Sequence, residues 1–294
     1  MAHSKTTLFT TMIFTACSTI AASCTPASTP LPPTSVTTPT SPPISVEQPT
    51  ATPQDTPPPA LPPPVSMESS PAPIPFQICS PLADISNADL DSHISNPFHP
   101  PQPGSDAPHQ GIDLADYYGD NRIAIEGRTV NAVLDGRVAA VINDRFPYGY
   151  AVMIETPFEM LPSDWKNTLS FPTSPPEGYS NPTLTCPPIA ETTSGMQEIT
   201  SLYLLYAHLQ AAPAAEVGDL IQCGQPLGIV GSSGNALNPH LHLETRTGPG
   251  DAQFGSMAHY DPTASEDEMG AYCTWRVSGL FPLFDPMTLF PPQT

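Results

Sequence analysis

Asn238-Pro239-His240-Leu241-His242-Leu243-Glu244 places a His-x-His pair inside an alternating apolar segment. Alternation of period two reads as a β-strand, and side chains two apart on a strand share a face. Both imidazoles therefore project to one side, just after the glycine-rich turn Gly231-Ser232-Ser233-Gly234. That arrangement suits a metal ligand beside a catalytic base. Working outward, further strand character lies in Arg122 to Glu126, Thr129 to Ile142, Tyr150 to Thr156, Ile199 to Leu209, Leu220 to Val230 and Leu241 to Arg246. These stretches alternate or carry β-branched and aromatic runs. Turn residues punctuate them at Asp135-Gly136, Tyr148-Gly149, Val217-Gly218-Asp219 and Gly224. No long stretch repeats with a helical period. The expectation is an all-β fold, a compact antiparallel sheet or sandwich with long loop insertions.

Two regions interrupt that plan. Residues 157–198 hold eight prolines and little periodicity. A loop of that length is uncommon unless functional, so it reads as an insertion between two strands. Gly248 to Gly279 reads as a second irregular region, ahead of an apolar segment from Leu280 to Phe290.

The chain is not one kind of material. It has 294 residues and 42 prolines, and residues 25–75 hold 18 of those prolines with only Glu47, Asp55 and Glu68 as charges. Such a stretch cannot bury enough apolar surface to fold. The chain therefore divides into a signal peptide at 1–23, a disordered Pro/Ser/Thr-rich tether at 24–75 and a folded domain at 76–294, ample for one core. The formal net charge is −20, and the domain's strong bases are Arg122, Arg128, Arg137, Arg145, Lys166, Arg246 and Arg276. No basic patch neutralises phosphates, which excludes nucleic-acid binding. An acidic surface keeps an exported protein soluble, and a monomer is expected.

At the N-terminus, Lys5 and the α-amino group precede a moderately apolar run from Thr7 to Ser23. The run is too short and too rich in Thr and Ser for a membrane span, and it reads as an export signal. It ends Ile20-Ala21-Ala22-Ser23-Cys24, which looks like a bacterial lipoprotein cleavage site with Cys24 bearing the lipid. Ala21 stands where Leu is usual, and ordinary cleavage near Ala22 or Ser23 is the alternative. In polyproline II geometry the tether reaches roughly 150 Å at about 3.1 Å per residue, which would hold an anchored domain away from a membrane. The protein is thus expected in the cell envelope, anchored through Cys24 or secreted. Cys79, Cys186, Cys223 and Cys273 remain, an even set. They suit two disulfides in an oxidising compartment, with three connectivities open, and match no zinc-knuckle spacing.

Upstream of the opening pair stand His109-Gln110-Gly111-Ile112-Asp113-Leu114 and Tyr206-Ala207-His208-Leu209. Catalytic zinc prefers three protein ligands with an open position for water, and His109, Asp113 and His242 would supply that set. The metal would acidify water and polarise a carbonyl. His208 and His240 remain as general base, general acid and stabilisers of a tetrahedral intermediate. Glu244 shares the face of His242, either orienting its imidazole or standing as an ordinary exposed residue. Asn238 is a substrate-contact candidate. Asp116 and Asp120 read as solvated loop residues, and Tyr117 and Tyr118 as loop packing or groove lining.

At these positions the sequence resembles the lysostaphin-type (LytM-like) zinc metallopeptidases. His109-x-x-x-Asp113, Tyr206-Ala207-His208-Leu209 and His240-x-His242 stand in the family's order. Asn131-Ala132-Val133-Leu134-Asp135-Gly136-Arg137-Val138 is similar to the strand and turn after the first ligands. Val217-Gly218-Asp219 with Cys223-Gly224-Gln225-Pro226-Leu227-Gly228 is similar to the β-turn and strand before the glycine turn, and Asp285-Pro286 to the closing segment. Each motif alone is weak; three in order are strong. The resemblance covers residues 95–246 well and the C-terminus weakly. It implies a β-sheet domain holding one zinc ion in a groove, with His109, Asp113 and His242 as ligands and His208 and His240 as catalytic residues. It also implies endopeptidase action on the peptide cross-bridges or stems of bacterial peptidoglycan. The insertion at 157–198 departs from the family's short hairpin, just upstream of His208, where it would wall the groove or restrict substrates. The different-class alternative is a non-catalytic wall-binding or amidase-activating protein of the same fold.

Overall fold

The computed structural model describes residues 75–102, 104–116, 125–168, 184–187 and 198–290. The expected signal peptide, Cys24, the expected tether up to Ile74, Tyr117, Tyr118, Asp120 and the first three residues of the expected Arg122 strand lie outside them. Among the described residues there are ten strands: β1 (Ile94–Asn96), β2 (Ile112–Leu114), β3 (Thr129–Asn131), β4 (Gly136–Arg145), β5 (Gly149–Pro157), β6 (Ser201–Leu209), β7 (Leu220–Ile221), β8 (Pro226–Ile229), β9 (Leu241–Gly248) and β10 (Leu283–Phe284). Two α-helices join them, α1 (Ser163–Thr168) and α2 (Glu266–Val277).

The main antiparallel sheet runs β1-β2-β9-β6-β5-β4-β7, with β10 beside β9. A second sheet pairs β3 with β8. Period-two alternation sorts the main sheet's side chains into two cores. Ile112, Leu114, Leu202, Leu204, Tyr206, Leu241 and Leu243 pack on one face with Val130 and Leu227 of the small sheet. Ala151, Met153, Tyr203, Leu205 and Ala207 pack on the other with Tyr272, Trp275 and Val277 of α2. Both faces of β6 and β9 are therefore covered, and every residue of both strands is buried.

Sequence and structure differ at several places. The run from Thr129 to Ile142 is two strands in different sheets, because Ala132 to Asp135 turn the chain between them. The run from Leu220 to Val230 is also two strands, split at Cys223-Gly224, where Gly224 has φ +78°. The larger correction is α2, inside the region expected to be irregular. Ser265 caps it: its hydroxyl accepts from the Glu268 amide, and the Glu268 carboxylate accepts from the Ser265 amide. That reciprocal pair satisfies two amides that a helix start otherwise leaves unpaired. Gly279, at φ +80°, follows the helix end.

Disulfides close two long loops. Cys79 joins Cys223, and Cys186 joins Cys273 on α2. The second bond ties the insertion to the helix. Asp116 is a further correction: it is buried and pairs with His93 and, at 3.6 Å, with Arg128.

Leu204 is fully buried whereas Leu220 is 83% exposed. Leu204→Ala is expected to cost about 2–5 kcal/mol of unfolding free energy, and Leu220→Ala no more than about 0.5 kcal/mol. Urea denaturation of both variants checks this, and equal losses would contradict the assignment of the core.

Candidate metal centre

The register of three neighbouring strands assembles the site. Asp113 on β2 stands opposite His242 on β9, and His242 stands opposite Ala207 on β6. Leu241 and Leu243 fill the first core, so His240 and His242 both point the other way. Gly111 permits the close approach of β2 and β9. A Cβ there would lie 2.4 Å from the Leu243 carbonyl oxygen and 3.0 Å from the His242 ring.

Donor chemistry fixes which ring nitrogens face inward. His109 Nδ1 lies 2.9 Å from the Pro97 carbonyl oxygen, which can only accept, so this nitrogen carries hydrogen. His242 Nε2 likewise donates to Glu244 Oε1 at 3.1 Å. The remaining nitrogens, His109 Nε2 and His242 Nδ1, are 3.2 Å apart. Both converge on Asp113 Oδ1, at 3.1 and 2.8 Å respectively. The other Asp113 oxygen accepts from Asn96 Nδ2 at 3.0 Å. Donors around a tetrahedral zinc with bonds of about 2.1 Å stand roughly 3.4 Å apart, so shifts of tenths of an ångström accommodate the ion. Among the described residues, His109, Asp113 and His242 form the group of metal-ligand type that converges this closely.

His208 reaches the same face by a different route. Strict alternation would point it into the first core with Tyr206. Instead the chain takes φ +63° at His208, and the β5–β6 register slips there. That left-handed conformation costs on the order of 1–3 kcal/mol in a non-glycine residue. The bulge turns the imidazole toward β9, with its ring centroid 4.7 Å from His240 and 5.7 Å from His242. The glycine turn holds it there: Ser233 O accepts from His208 Nδ1 at 2.8 Å, while Ser233 Oγ bonds Leu209 O and the Tyr150 amide. Gly149 and Gly234 let this turn press on β5, since a Cβ on Gly149 would lie 2.4 Å from Ser233 carbonyl carbon. His240 Nδ1 donates to the Asn238 carbonyl at 2.7 Å, and its Nε2 stands 3.5 Å from Asp113 Oδ1. The Asn238 side chain is exposed, and its backbone is what meets the site.

Glu244 is fully buried, not an exposed strand residue. It accepts from Tyr148 Oη at 3.0 Å, Trp275 Nε1 at 2.9 Å, His242 Nε2 and the Arg276 guanidinium. Sequence reading missed Asn96, Tyr148, Trp275 and Arg276. For Trp275 and Arg276 the local signal was the capping box that starts α2 and the glycine that follows it; Asn96 and Tyr148 carried none. A cavity of about 270 Å³ opens beside these groups, lined in part by Asn96, His109, Tyr148, His208, Asn235 and His242. None of the described residues of the insertion lines it. A larger cavity of about 420 Å³, lined by Glu155, Glu159, Glu198 and Asp251, contains none of the five.

Charge follows this geometry. Burial opposes the Asp113 anion, yet hydrogen bonds from His109 and His242 hold its carboxyl far below the usual range. Burial likewise opposes the Glu244 anion, and the Arg276 charge and the His242 hydrogen bond overcome it. Burial disfavours the His242 cation, but Asp113 and Glu244 raise its pKa to about 9. His208 is held neutral, lowered to about 3 by burial and by the nearby His242 and His240.

Comparison with known proteins agrees with the family read from the motifs. Residues 194–254 match the family model described as Peptidase family M23. The matched stretch contains His208, His240, His242 and Glu244 but neither His109 nor Asp113. No curated protein matches the chain. Among solved structures, the chain is similar to a zinc-containing peptidase from Vibrio cholerae, with 21% identity over 52% of this chain and 32% of that one and a TM-score of 0.29. It is similar to Helicobacter pylori Csd3, with 21% identity over 60% and 33% and a TM-score of 0.32. It is also similar to the catalytic domain of the antimicrobial peptidase lysostaphin from Staphylococcus simulans, with 18% identity over 55% and 86% and a TM-score of 0.32. The chain spans about a third of the length of the first two.

A proton must leave His242 Nδ1 when a metal binds there, since Nε2–H is committed to Glu244. The folded pKa is raised to about 9, so the competing proton is present below that pH. Metal affinity is therefore expected to fall about tenfold per unit as pH drops from about 8 to 6, with proton release. Zinc calorimetry in two buffers of different ionisation enthalpy measures both, and an affinity flat across that range would contradict the arrangement.

Proposed function

We propose that this chain is an exported zinc metalloendopeptidase that hydrolyses peptide cross-links or stems of bacterial peptidoglycan. The observation that carries the reading is the convergence of His109, Asp113 and His242 beside two further imidazoles on one sheet face. The peptidase family match supports the reaction class. Peptidoglycan follows from the resemblance of the motifs, and export from the N-terminal pattern ending at Cys24. The acidic, base-poor surface suits no nucleic-acid substrate.

Zinc held by His109, Asp113 and His242 would polarise the scissile carbonyl and acidify water. The protein's own groups do the rest. Each Nδ1–H of His208 and His240 is committed to a backbone carbonyl, so Nε2 is the nitrogen that exchanges protons. Burial keeps His208 neutral, so its Nε2 presents a lone pair that accepts a hydrogen bond from water or substrate. His240, beside Asp113, is placed to donate to the oxygen on which charge develops. Asn96 and Glu244 keep Asp113 and His242 from rotating, which spares reorganisation during the reaction.

Asp113→Ala or His242→Ala is expected to lose bound zinc. His208→Ala or His240→Ala should retain zinc and lose about 10²–10⁴-fold in turnover. Metal content, together with mass spectrometry of digested, chemically defined cross-linked muropeptides, checks both and identifies the bond cut. Full zinc occupancy after both ligand substitutions would sink the ligand assignment. A zinc-free wild type that cuts nothing would favour the binding-only alternative. Mass spectrometry of the native N-terminus tests anchoring, since cleavage elsewhere or an unmodified Cys24 removes the lipid.

A further inference from the structure

We infer that Arg276 is a positioning residue that clamps together the two chain segments bearing the metal ligands, so that the metal centre depends on docking of α2. The inference rests on the metallopeptidase reading above. Arg276 sits near the end of α2, outside the stretch that matches the peptidase family. Its guanidinium is almost fully buried. Nη1 reaches Glu244 Oε1, and Glu244 in turn holds His242 Nε2. Nε donates to Asp106 Oδ1 at 2.5 Å, and Nη2 donates to the Asp106 carbonyl at 3.0 Å. Asp106 lies three residues before the ligand His109 and is held by two more hydroxyls, Tyr272 Oη at 2.9 Å and Tyr260 Oη at 2.8 Å.

One planar fork therefore spans from the strand carrying His242 to the loop carrying His109. A guanidinium does this because it presents several donors in fixed directions, whereas an ammonium is a single point charge. The ligand-bearing segments themselves pair through β2 and β9, whose ladder is three residues long. Among the described residues, the loop before β2 has no strand partner beyond the His99–His109 bridge. Clamping that loop from outside fixes where His109 Nε2 points. Helix α2 is also held by two contacts independent of this clamp. Arg145 grips Glu268 near its start at 2.7 and 2.8 Å, and Cys273 is bonded to Cys186.

The test uses the full chain with its disulfides intact and reads metal, not turnover. Cobalt(II) is titrated into wild type, Arg276→Lys, Asp106→Asn and Arg145→Gln, following the visible absorption of the bound ion. Zinc affinity is then measured by competition with a chelating dye. Asp106→Asn leaves Arg276 paired with Glu244, so it loosens the loop without orphaning a buried charge. Arg145→Gln weakens the same helix at a point that touches no site residue. Arg276→Lys and Asp106→Asn are expected to bind zinc about 10–100-fold more weakly, with an altered cobalt spectrum, while Arg145→Gln binds as wild type. The metal-free Asp106→Asn protein should melt above the titration temperature, so that it is folded when metal is added, which separates positioning from folding. Wild-type affinity and spectrum in both clamp variants would overturn the inference while leaving the metallopeptidase reading intact. Equal weakening in Arg145→Gln would also overturn it, by showing that any loosening of the helix suffices. A wild type that takes up no cobalt overturns the metallopeptidase reading, and the clamp with it.

Discussion

Asp113 and His242 are 129 residues apart in sequence and directly opposite in the β2–β9 ladder. Everything at the site depends on that pairing being in register. Shifting β9 by one residue would turn His240, His242 and Glu244 into the apolar core and bring Leu241 and Leu243 to the ligand face. The alternation of leucine with polar residues along β9 therefore specifies the register as strongly as it specifies burial. Gly111 adds a steric condition, because the strands approach too closely there for any side chain. The site is thus built on sheet pairing, with the segments before β2 and β9 supplying His109 and His240, and β1 and α2 supplying supporting hydrogen bonds.

The same pairing leaves a carboxylate in the interior. Glu244 is fully buried, and such a group is tolerated only when charges and donors surround it. Arg276 and Arg246 provide charge, and Trp275 and Tyr148 provide donors. Removing one partner from a buried ion pair costs about 3–5 kcal/mol, because the other is left uncompensated. The interior charge network therefore links the orientation of His242 to the packing of α2. Metal that binds only the folded chain will in turn stabilise it.

Much of this was legible in sequence, for physical reasons. Strands β5, β6 and β9 carry apolar runs or strict alternation, and their existence follows from those patterns alone. The five site residues fall in short motifs whose order, with their glycine frames, points to one family. Other features left no such trace. The His208 bulge is set by hydrogen bonds to the Ser233 turn, and strict alternation predicts the opposite face. Helix α2 hides because a charged residue, Arg276, is buried among its apolar ones, so its apolar period is broken, and Gly270 weakens its propensity. Only the Ser265–Glu268 capping box and the trailing Gly279 announced it. The disulfide pairing was open in sequence, since parity gives no connectivity.

The central proposal is that one strand face divides its two histidines, His242 to bind the metal and His240 to transfer protons. X-ray absorption at the zinc edge of the zinc-loaded domain tests it most directly. The account predicts two imidazoles with oxygen ligands completing the shell and no sulfur. Three imidazoles, or any sulfur scatterer, would contradict it.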